Sequence, residues 1–203
     1  ECVSESCQQA QQNGETQYTH SLGLLELRVG IVRFYQKEYG VSISSDRILV
    51  TSGSSPAILM AMMTLLGAGD EVIISNPSYP CYRNFALACN AVPRLIEVSA
   101  RDGFQFPLDV LKTMIHEKTK AIVVNSPMNP SGTLVSDEVF QGLAQTGIPI
   151  ISDEIYHGLV YEGRAKSVLE FTDNAFVVNG FSKRFAMTGL RLGYLIAPKE
   201  YIR

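Results

Sequence analysis

Seven short runs rich in valine, isoleucine and leucine recur along this 203-residue chain, and they constrain its fold more than any other feature. Most of them are apolar at every position rather than at alternate positions. That pattern is typical of strands in a parallel sheet that helices cover on both faces. The predicted strands are residues 47–51, 71–75, 94–98, 121–125, 149–152, 176–179 and 193–197.

Segments with helical spacing separate several of these runs. Leu108, Leu111 and Ile115 repeat at intervals of three and four residues, which places them on one face of a helix. Another helix is predicted to begin near Ser136 and to end before Gly147. Strands that alternate with helices predict an α/β fold, with three layers, a mostly parallel central sheet and helices on both faces.

The first 45 residues differ from the rest of the chain. They open with a polar stretch, and an amphipathic helix follows from about Leu24 to Tyr39, ended by Gly40. We therefore divide the chain into an N-terminal helical segment, residues 1–45, and an α/β domain, residues 46–203. Because the chain begins with helix-like composition and ends just after a strand, we expect it to be an excerpt of a longer protein.

Charge and composition argue against several classes of partner. Lys and Arg number 17 against 20 Asp and Glu, so a net charge of −3 provides no basic field for a nucleic acid. The longest apolar run, near residues 57–66, is about half of what a membrane-spanning helix needs. The four cysteines fit neither a disulfide framework nor a zinc site. We expect a cytoplasmic protein without a metal, a membrane or a nucleic acid partner.

Polar residues follow the predicted strands, where ligands of open α/β sheets bind. After the first strand, Gly53 permits a sharp turn, and the N–H groups of Ser54 and Ser55 begin a helix with Pro56 at its first position. Such a helix N-terminus favours an anion and predicts a phosphate site. An ordinary capped helix would explain the same residues.

Asp153 and Lys183 each follow an apolar run, so we expect both side chains to lie in the same crevice. A lysine at the end of a buried strand must have its charge paired or neutralised. If partly desolvated, it is a better nucleophile toward a carbonyl group, because its amine is more often neutral. A solvated surface position is the alternative interpretation for Lys183.

Four segments in order carry a resemblance to a known family. They are NPSYPCY, NSPMNPSGT, SDEIY and FSKRFAMTGLRLGY. Together they resemble the large domain of the pyridoxal-phosphate-dependent aminotransferases of classes I and II, which include aspartate aminotransferase. The resemblance runs from about Gln17 to the end of the chain, without the N-terminal arm and the C-terminal small domain of the family. It implies the fold of the major domain of these transferases.

The resemblance implies catalytic roles for three residues. Lys183 would form a Schiff base with pyridoxal 5′-phosphate and then transfer a proton, while Asp153 would pair with the protonated pyridine nitrogen. Tyr156 would contact the 3′ oxygen of the cofactor together with Asn129. Taken alone, Asp153 could be a helix cap, Tyr156 a core residue and Asn129 part of a turn.

The phosphate site is also part of the resemblance. Arg191 matches the phosphate-binding arginine of the family, and its planar guanidinium suits a dianion; a surface ion pair is the alternative. Gly53, Ser54 and Ser55 match the phosphate loop. Gly180 departs from many relatives, which carry a phosphate-binding serine three residues before the lysine.

Two tyrosines complete the implied site. Tyr79 stands where an aromatic residue stacks on the pyridine ring. Tyr18 matches a tyrosine that reaches the phosphate in the partner subunit, which implies a homodimer with shared active sites. The arginine that binds the substrate carboxylate lies in the family's small domain, outside these residues.

We therefore expect an aminotransferase that moves an amino group from an amino acid to a 2-oxo acid. Other enzymes with the same cofactor remain open, namely a β-lyase, a racemase or a decarboxylase. A transcription regulator with an aminotransferase-like domain that senses pyridoxal phosphate is a further alternative, against which the net charge of −3 argues mildly.

Overall fold

The computed structural model describes residues 2–202. Its centre is one seven-stranded sheet with the strand order β1-β7-β6-β5-β4-β2-β3. The strands are β1 (Ile48–Thr51), β2 (Glu71–Asn76), β3 (Val92–Glu97), β4 (Thr119–Asn125), β5 (Ile150–Asp153), β6 (Ala175–Gly180) and β7 (Gly193–Ile196). All seven predicted strands are present, with bounds that differ by a few residues.

The sheet is mostly parallel, as predicted. Strands β3, β2, β4, β5 and β6 pair in parallel. Strand β7 lies between β6 and β1 and is antiparallel to both. The carboxyl ends of the parallel strands therefore share one edge of the sheet, and the loop before β7 returns the chain to that same edge.

Helices cover both faces of this sheet. The six helices within residues 2–202 are α1 (Cys2–Gln12), α2 (Leu25–Tyr39), α3 (Ser54–Leu65), α4 (Cys81–Ala88), α5 (Leu108–Met114) and α6 (Asp137–Gln145). Ile31 of α2, Leu111 of α5 and Phe140 of α6 belong to the core on one face. Ala61 of α3 and Tyr82 of α4 belong to the core on the other face. The expected three-layer architecture is confirmed.

The observed helix ends agree with the predicted ones in two places and differ in one. Gly40 ends α2 with a φ of 70°, and the Ser136 hydroxyl accepts the Val139 N–H at the start of α6. Helix α3 begins at Ser54, so Pro56 is its third residue and the expectation of a first position was wrong. The shift costs no hydrogen bond, because the N–H groups of a first helical turn have no partner within the helix.

The division into residues 1–45 and 46–203 stays a prediction, and its outer limits, residues 1 and 203, lie outside the described residues. Helix α2 contributes Ile31 and Tyr35 to the core beneath the sheet, whereas α1 has no buried residue. From residue 2 to residue 202, no helix has both the length and the apolar character needed to cross a membrane.

Candidate active site

A polar cavity of about 300 Å³ lies at the carboxyl ends of β4 and β5. Eight of the ten candidate site residues line it: Ser54, Ser55, Tyr79, Asn129, Asp153, Tyr156, Lys183 and Arg191. Gly53 lies directly behind it, against Arg191. Tyr18 is fully exposed and takes no part in the cavity. One chain thus brings together all of these candidates except Tyr18.

The start of α3 forms one end of the cavity. Gly53 has a φ of 94°, which a residue with a side chain rarely adopts, and its carbonyl accepts the Thr51 hydroxyl at 2.7 Å. A Cβ atom at Gly53 would overlap the Arg191 guanidinium. The absence of a side chain therefore lets Arg191 lie against the loop, beside the free N–H groups of the first helical turn.

Two further glycines pack behind this loop. A Cβ atom at Gly193 would lie 2.5 Å from the carbonyl carbon of Gly53 and 2.7 Å from the nitrogen of Ser54. A Cβ atom at Gly180 would lie 2.9 Å from the Cα atom of Gly193. A side chain at position 180 would therefore require the backbone at Gly193 to shift, so this packing favours the glycine that departs from many relatives.

Asp153, the last residue of β5, presents a buried carboxylate to the cavity. It is 4% exposed, and it accepts hydrogen bonds from the Tyr82 hydroxyl at 2.7 Å and from the Ile155 N–H at 3.1 Å. Burial raises the pKa of Asp153, while these two hydrogen bonds and the charge of Lys183 lower it in part. A cation placed against this desolvated carboxylate would therefore be strongly stabilised.

Tyr82 is a site residue that the sequence analysis missed. It lies on α4 one turn after Tyr79, and the two rings meet edge to face with centroids 5.4 Å apart. Burial, and then the nearby Asp153, raise the pKa of Tyr82 far above its ordinary value, so its hydroxyl stays protonated and donates. No local signal singled it out, because Tyr79 lies before α4 begins and the contact with Asp153 depends on how α4 packs.

Asn125 was also missed as a functional residue. Its side-chain amide donates to the Asp153 carbonyl at 2.8 Å, and its oxygen accepts the Asn129 N–H at 2.6 Å. It thereby fixes the loop that carries Asn129 to the end of β5. The signal was a polar amide that ends the apolar run of residues 121–125.

Lys183 and Arg191 lie on the open side of the cavity. Strand β6 ends at Gly180, so Lys183 lies in a turn three residues beyond it and is exposed. Of the two interpretations of Lys183, the described structure therefore favours the solvated position over a partly desolvated one. The Lys183 ammonium lies 5.8 Å from the centre of the Tyr156 ring. Arg191, also exposed, donates to the Thr188 carbonyl at 2.8 Å.

Comparison with known proteins identifies the family. The chain matches the family described as "Aminotransferase class I and II" over residues 1–203. It belongs to this family, and membership implies the cofactor pyridoxal 5′-phosphate.

Similar proteins include two from Methanocaldococcus jannaschii. A (5-formylfuran-3-yl)methyl phosphate transaminase is 44% identical over 93% of this chain and 50% of its own length. A probable aspartate aminotransferase is 37% identical over 98% of this chain and 53% of its own length. The chain therefore spans about half the length of the curated relatives it matches.

Solved structures agree with the fold. A tetra mutant of Thermus thermophilus aspartate aminotransferase superposes with a TM-score of 0.95 at 35% identity, over 98% of this chain and 56% of that one. An aromatic aminotransferase from Pyrococcus horikoshii gives a TM-score of 0.94 at 32% identity, over 98% and 56% of the two chains. These relatives do not favour a lyase, a racemase, a decarboxylase or a regulator.

Proposed function

We propose that this chain is the coenzyme-binding part of an aminotransferase that moves an amino group from an amino acid to a 2-oxo acid. The observation that carries the proposal is one polar cavity that holds a buried carboxylate, a lysine, and an arginine beside a helix N-terminus. The family membership supports the same chemistry. The bound coenzyme would supply an electron sink for the bond that breaks at the substrate Cα.

The residues of the cavity fit pyridoxal 5′-phosphate at its phosphate end. The N–H groups of Ser54 and Ser55 at the start of α3 would bind phosphate oxygens, and the Arg191 guanidinium would neutralise the dianion. Gly53 and Gly193 carry no side chain where one would displace this arginine or the loop. The cradle is therefore shaped for an anion held by backbone groups.

The ring end of the coenzyme fits the opposite part of the cavity. Asp153 is buried and accepts two hydrogen bonds, and none of the cationic side chains of residues 2–202 forms an ion pair with it. It would therefore keep a proton on the pyridine nitrogen. Tyr156 and Asn129 would bind the 3′ oxygen, and the Tyr79 ring would cover one face. This arrangement orients the ring before the substrate arrives, which lowers the entropic cost of reaction.

Lys183 would be both the covalent attachment point and the base. Its flexible side chain places Nζ at the mouth of the same cavity, near Tyr156. As the base, the Nζ amine would accept the proton released at the substrate Cα and would donate it again later in the reaction.

Reduction with borohydride tests this assignment. In the full-length protein loaded with coenzyme, peptide mapping should find the pyridoxyl label on Lys183, and Lys183→Ala should lose both the label and transamination. Lys199→Ala, a matched change of an exposed lysine outside the cavity, should retain both. A label on Lys166 or Lys199 would contradict the proposal. A separate screen of amino donors with the active protein would identify its substrate.

We further propose a cytoplasmic homodimer in which Tyr18 binds coenzyme phosphate in the partner subunit. The Tyr18 ring is fully exposed, and Leu24 and Leu25 a few residues later are half-exposed, which supports contact with a second chain. The four cysteines are all free, which suits a reducing compartment. Mixing the inactive variants Tyr18→Ala and Lys183→Ala should restore activity, because a mixed dimer has one intact shared site. Absence of recovery in mixed dimers would refute this arrangement.

A further inference from the structure

A second cluster of buried polar groups lies behind the site segment, residues 153–157. Its centre is the side chain of Glu154, which is fully buried. One carboxyl oxygen, Oε1, accepts the Val168 N–H at 2.9 Å, the Ser167 hydroxyl at 3.0 Å and the Ser152 hydroxyl at 3.3 Å. This oxygen joins the end of β5 to the turn at residues 167–168.

The other carboxyl oxygen of Glu154 faces helix α2. Oε2 accepts the Tyr35 hydroxyl at 3.4 Å and lies 3.5 Å from Nδ1 of His157. The same Nδ1 is 2.8 Å from the Tyr39 hydroxyl, one helical turn after Tyr35. The carboxyl group therefore connects two separate parts of the chain, α2 and the turn at residues 167–168, to the segment that carries Asp153.

Packing alone does not account for a carboxyl group at this position. Its burial raises the pKa of Glu154 to about 8, which reflects the free-energy cost of removing the charge from water. An apolar side chain of similar volume often occupies such a place without loss of stability. Loss of the carboxyl alone would leave the surrounding donors unsatisfied.

The backbone of the segment transmits the position of Glu154 to the site. The Glu154 N–H donates to the Val178 carbonyl at 2.8 Å, and the Glu154 carbonyl accepts the His157 N–H at 2.9 Å. The next residue, Ile155, supplies the N–H that orients the Asp153 carboxylate at 3.1 Å. A shift of Glu154 would therefore move this donor.

We propose that Glu154 is a positioning residue, whose carboxyl group holds residues 153–157 against α2 so that Asp153 and Tyr156 meet the coenzyme ring in the reactive orientation. The inference rests on the proposed function. Glu154 acts from behind the segment, while the Tyr82 hydroxyl holds Asp153 from the side of the cavity.

The test compares Glu154→Gln with Glu170→Gln in the full-length protein loaded with pyridoxal 5′-phosphate. Glu170 is a matched control because its carboxylate lies on the same turn, where it accepts the Ser167 N–H at 3.0 Å and pairs with Arg164 at 2.6 Å. It has no hydrogen bond or ion pair to residues 153–157 within the described structure. Both substitutions replace one carboxyl group by an amide of nearly the same shape.

We expect Glu154→Gln to lower kcat about tenfold while the KM for the amino acid stays within about twofold, because orientation and not binding is lost. The pH midpoint of the absorbance change of the lysine-bound coenzyme should also shift, since the partner of the ring nitrogen has moved. Glu170→Gln should lower only the unfolding temperature.

An unchanged kcat and an unchanged absorbance midpoint in a folded Glu154→Gln would overturn the inference. If that variant does not fold, Tyr35→Phe removes a single donor to the same carboxyl group. It should lower kcat and shift the midpoint in the same directions, and an unchanged midpoint would overturn the inference equally. If the wild-type protein bound no coenzyme, the proposed function would be overturned and this inference with it. That result differs from a wild type that binds coenzyme and a Glu154→Gln variant that behaves like it, which would overturn the inference alone.

Discussion

Replacement of Gly193 by alanine should disrupt the phosphate end of the cavity without removing any polar side chain. Gly193 has no left-handed φ, so alanine brings no backbone strain and the perturbation is purely steric. The added Cβ atom would lie 2.5 Å from the Gly53 carbonyl carbon, 2.7 Å from the Ser54 nitrogen and 2.8 Å from the Gly53 oxygen. All three neighbours are backbone atoms, which cannot rotate away.

The size of the effect follows from these distances. Nonbonded carbon atoms pack at about 3.5 Å, so strand β7 and the loop must separate by about 1 Å. Forced expansion of a packed region costs about 1–3 kcal/mol of stability. If the shift breaks one charge-assisted hydrogen bond to phosphate, the loss of about 1.5–3 kcal/mol corresponds to roughly 10- to 100-fold weaker coenzyme binding.

Coenzyme titration of the full-length apoprotein, followed by absorbance, measures this directly. Gly189→Ala is the matched control, because its Cβ atom would meet nothing within 4 Å. We expect that control to bind pyridoxal 5′-phosphate like the wild type, and Gly193→Ala to bind it at least about tenfold more weakly. Equal affinities of the two variants would refute the claim that β7 positions the phosphate loop.

Three more perturbations test other parts of the site. Tyr82→Phe removes only the hydroxyl that donates to Asp153, so kcat should fall about three- to tenfold in a steady-state assay. Arg191→Lys keeps the charge but not the planar fork, and should raise the coenzyme dissociation constant about tenfold in the same titration. Burial raises the pKa of Glu154 from 4.5 to about 8 and lowers that of His157 from 6.5 to about 4. The contribution of Glu154 to stability is therefore complete below pH 4.5 and is lost as the pH rises to 8. The contribution of His157 changes in the opposite direction and is lost as the pH falls from 6.5 to 4. Unfolding temperatures should thus fall between pH 6.5 and 8 in the wild type, and Glu154→Gln should show no such fall.

The strands could be predicted because their signal is local. An apolar run such as residues 121–125 predicts a strand without knowledge of the neighbouring strands, and polar residues at its end indicate the ligand edge of the sheet. Asp153 was found in this way, whereas Asn129 was found through the family resemblance. The exposure of Lys183 could not be decided from the sequence, because it depends on the turn that follows β6 and not on the strand itself.

The contacts that the sequence did not reveal join residues far apart in the chain. The hydrogen bond between Tyr82 and Asp153 depends on how α4 packs against the sheet, and no local pattern of Tyr82 encodes it. Glu154 likewise shows no special signal, because an acidic residue after a strand is ordinarily exposed. Both side chains became interpretable only when tertiary packing placed them in the core.

The antiparallel strand β7 explains why the site can be assembled from residues so distant in sequence. A chain that leaves β6 at the ligand edge must return there before β7 begins, and this return carries Lys183 and Arg191 past the cavity. Arg191 can then lie against the loop before α3 only if the two backbones touch. The contacts at Gly53 and Gly193 meet that condition, so these two glycines connect the phosphate site to the topology of the sheet.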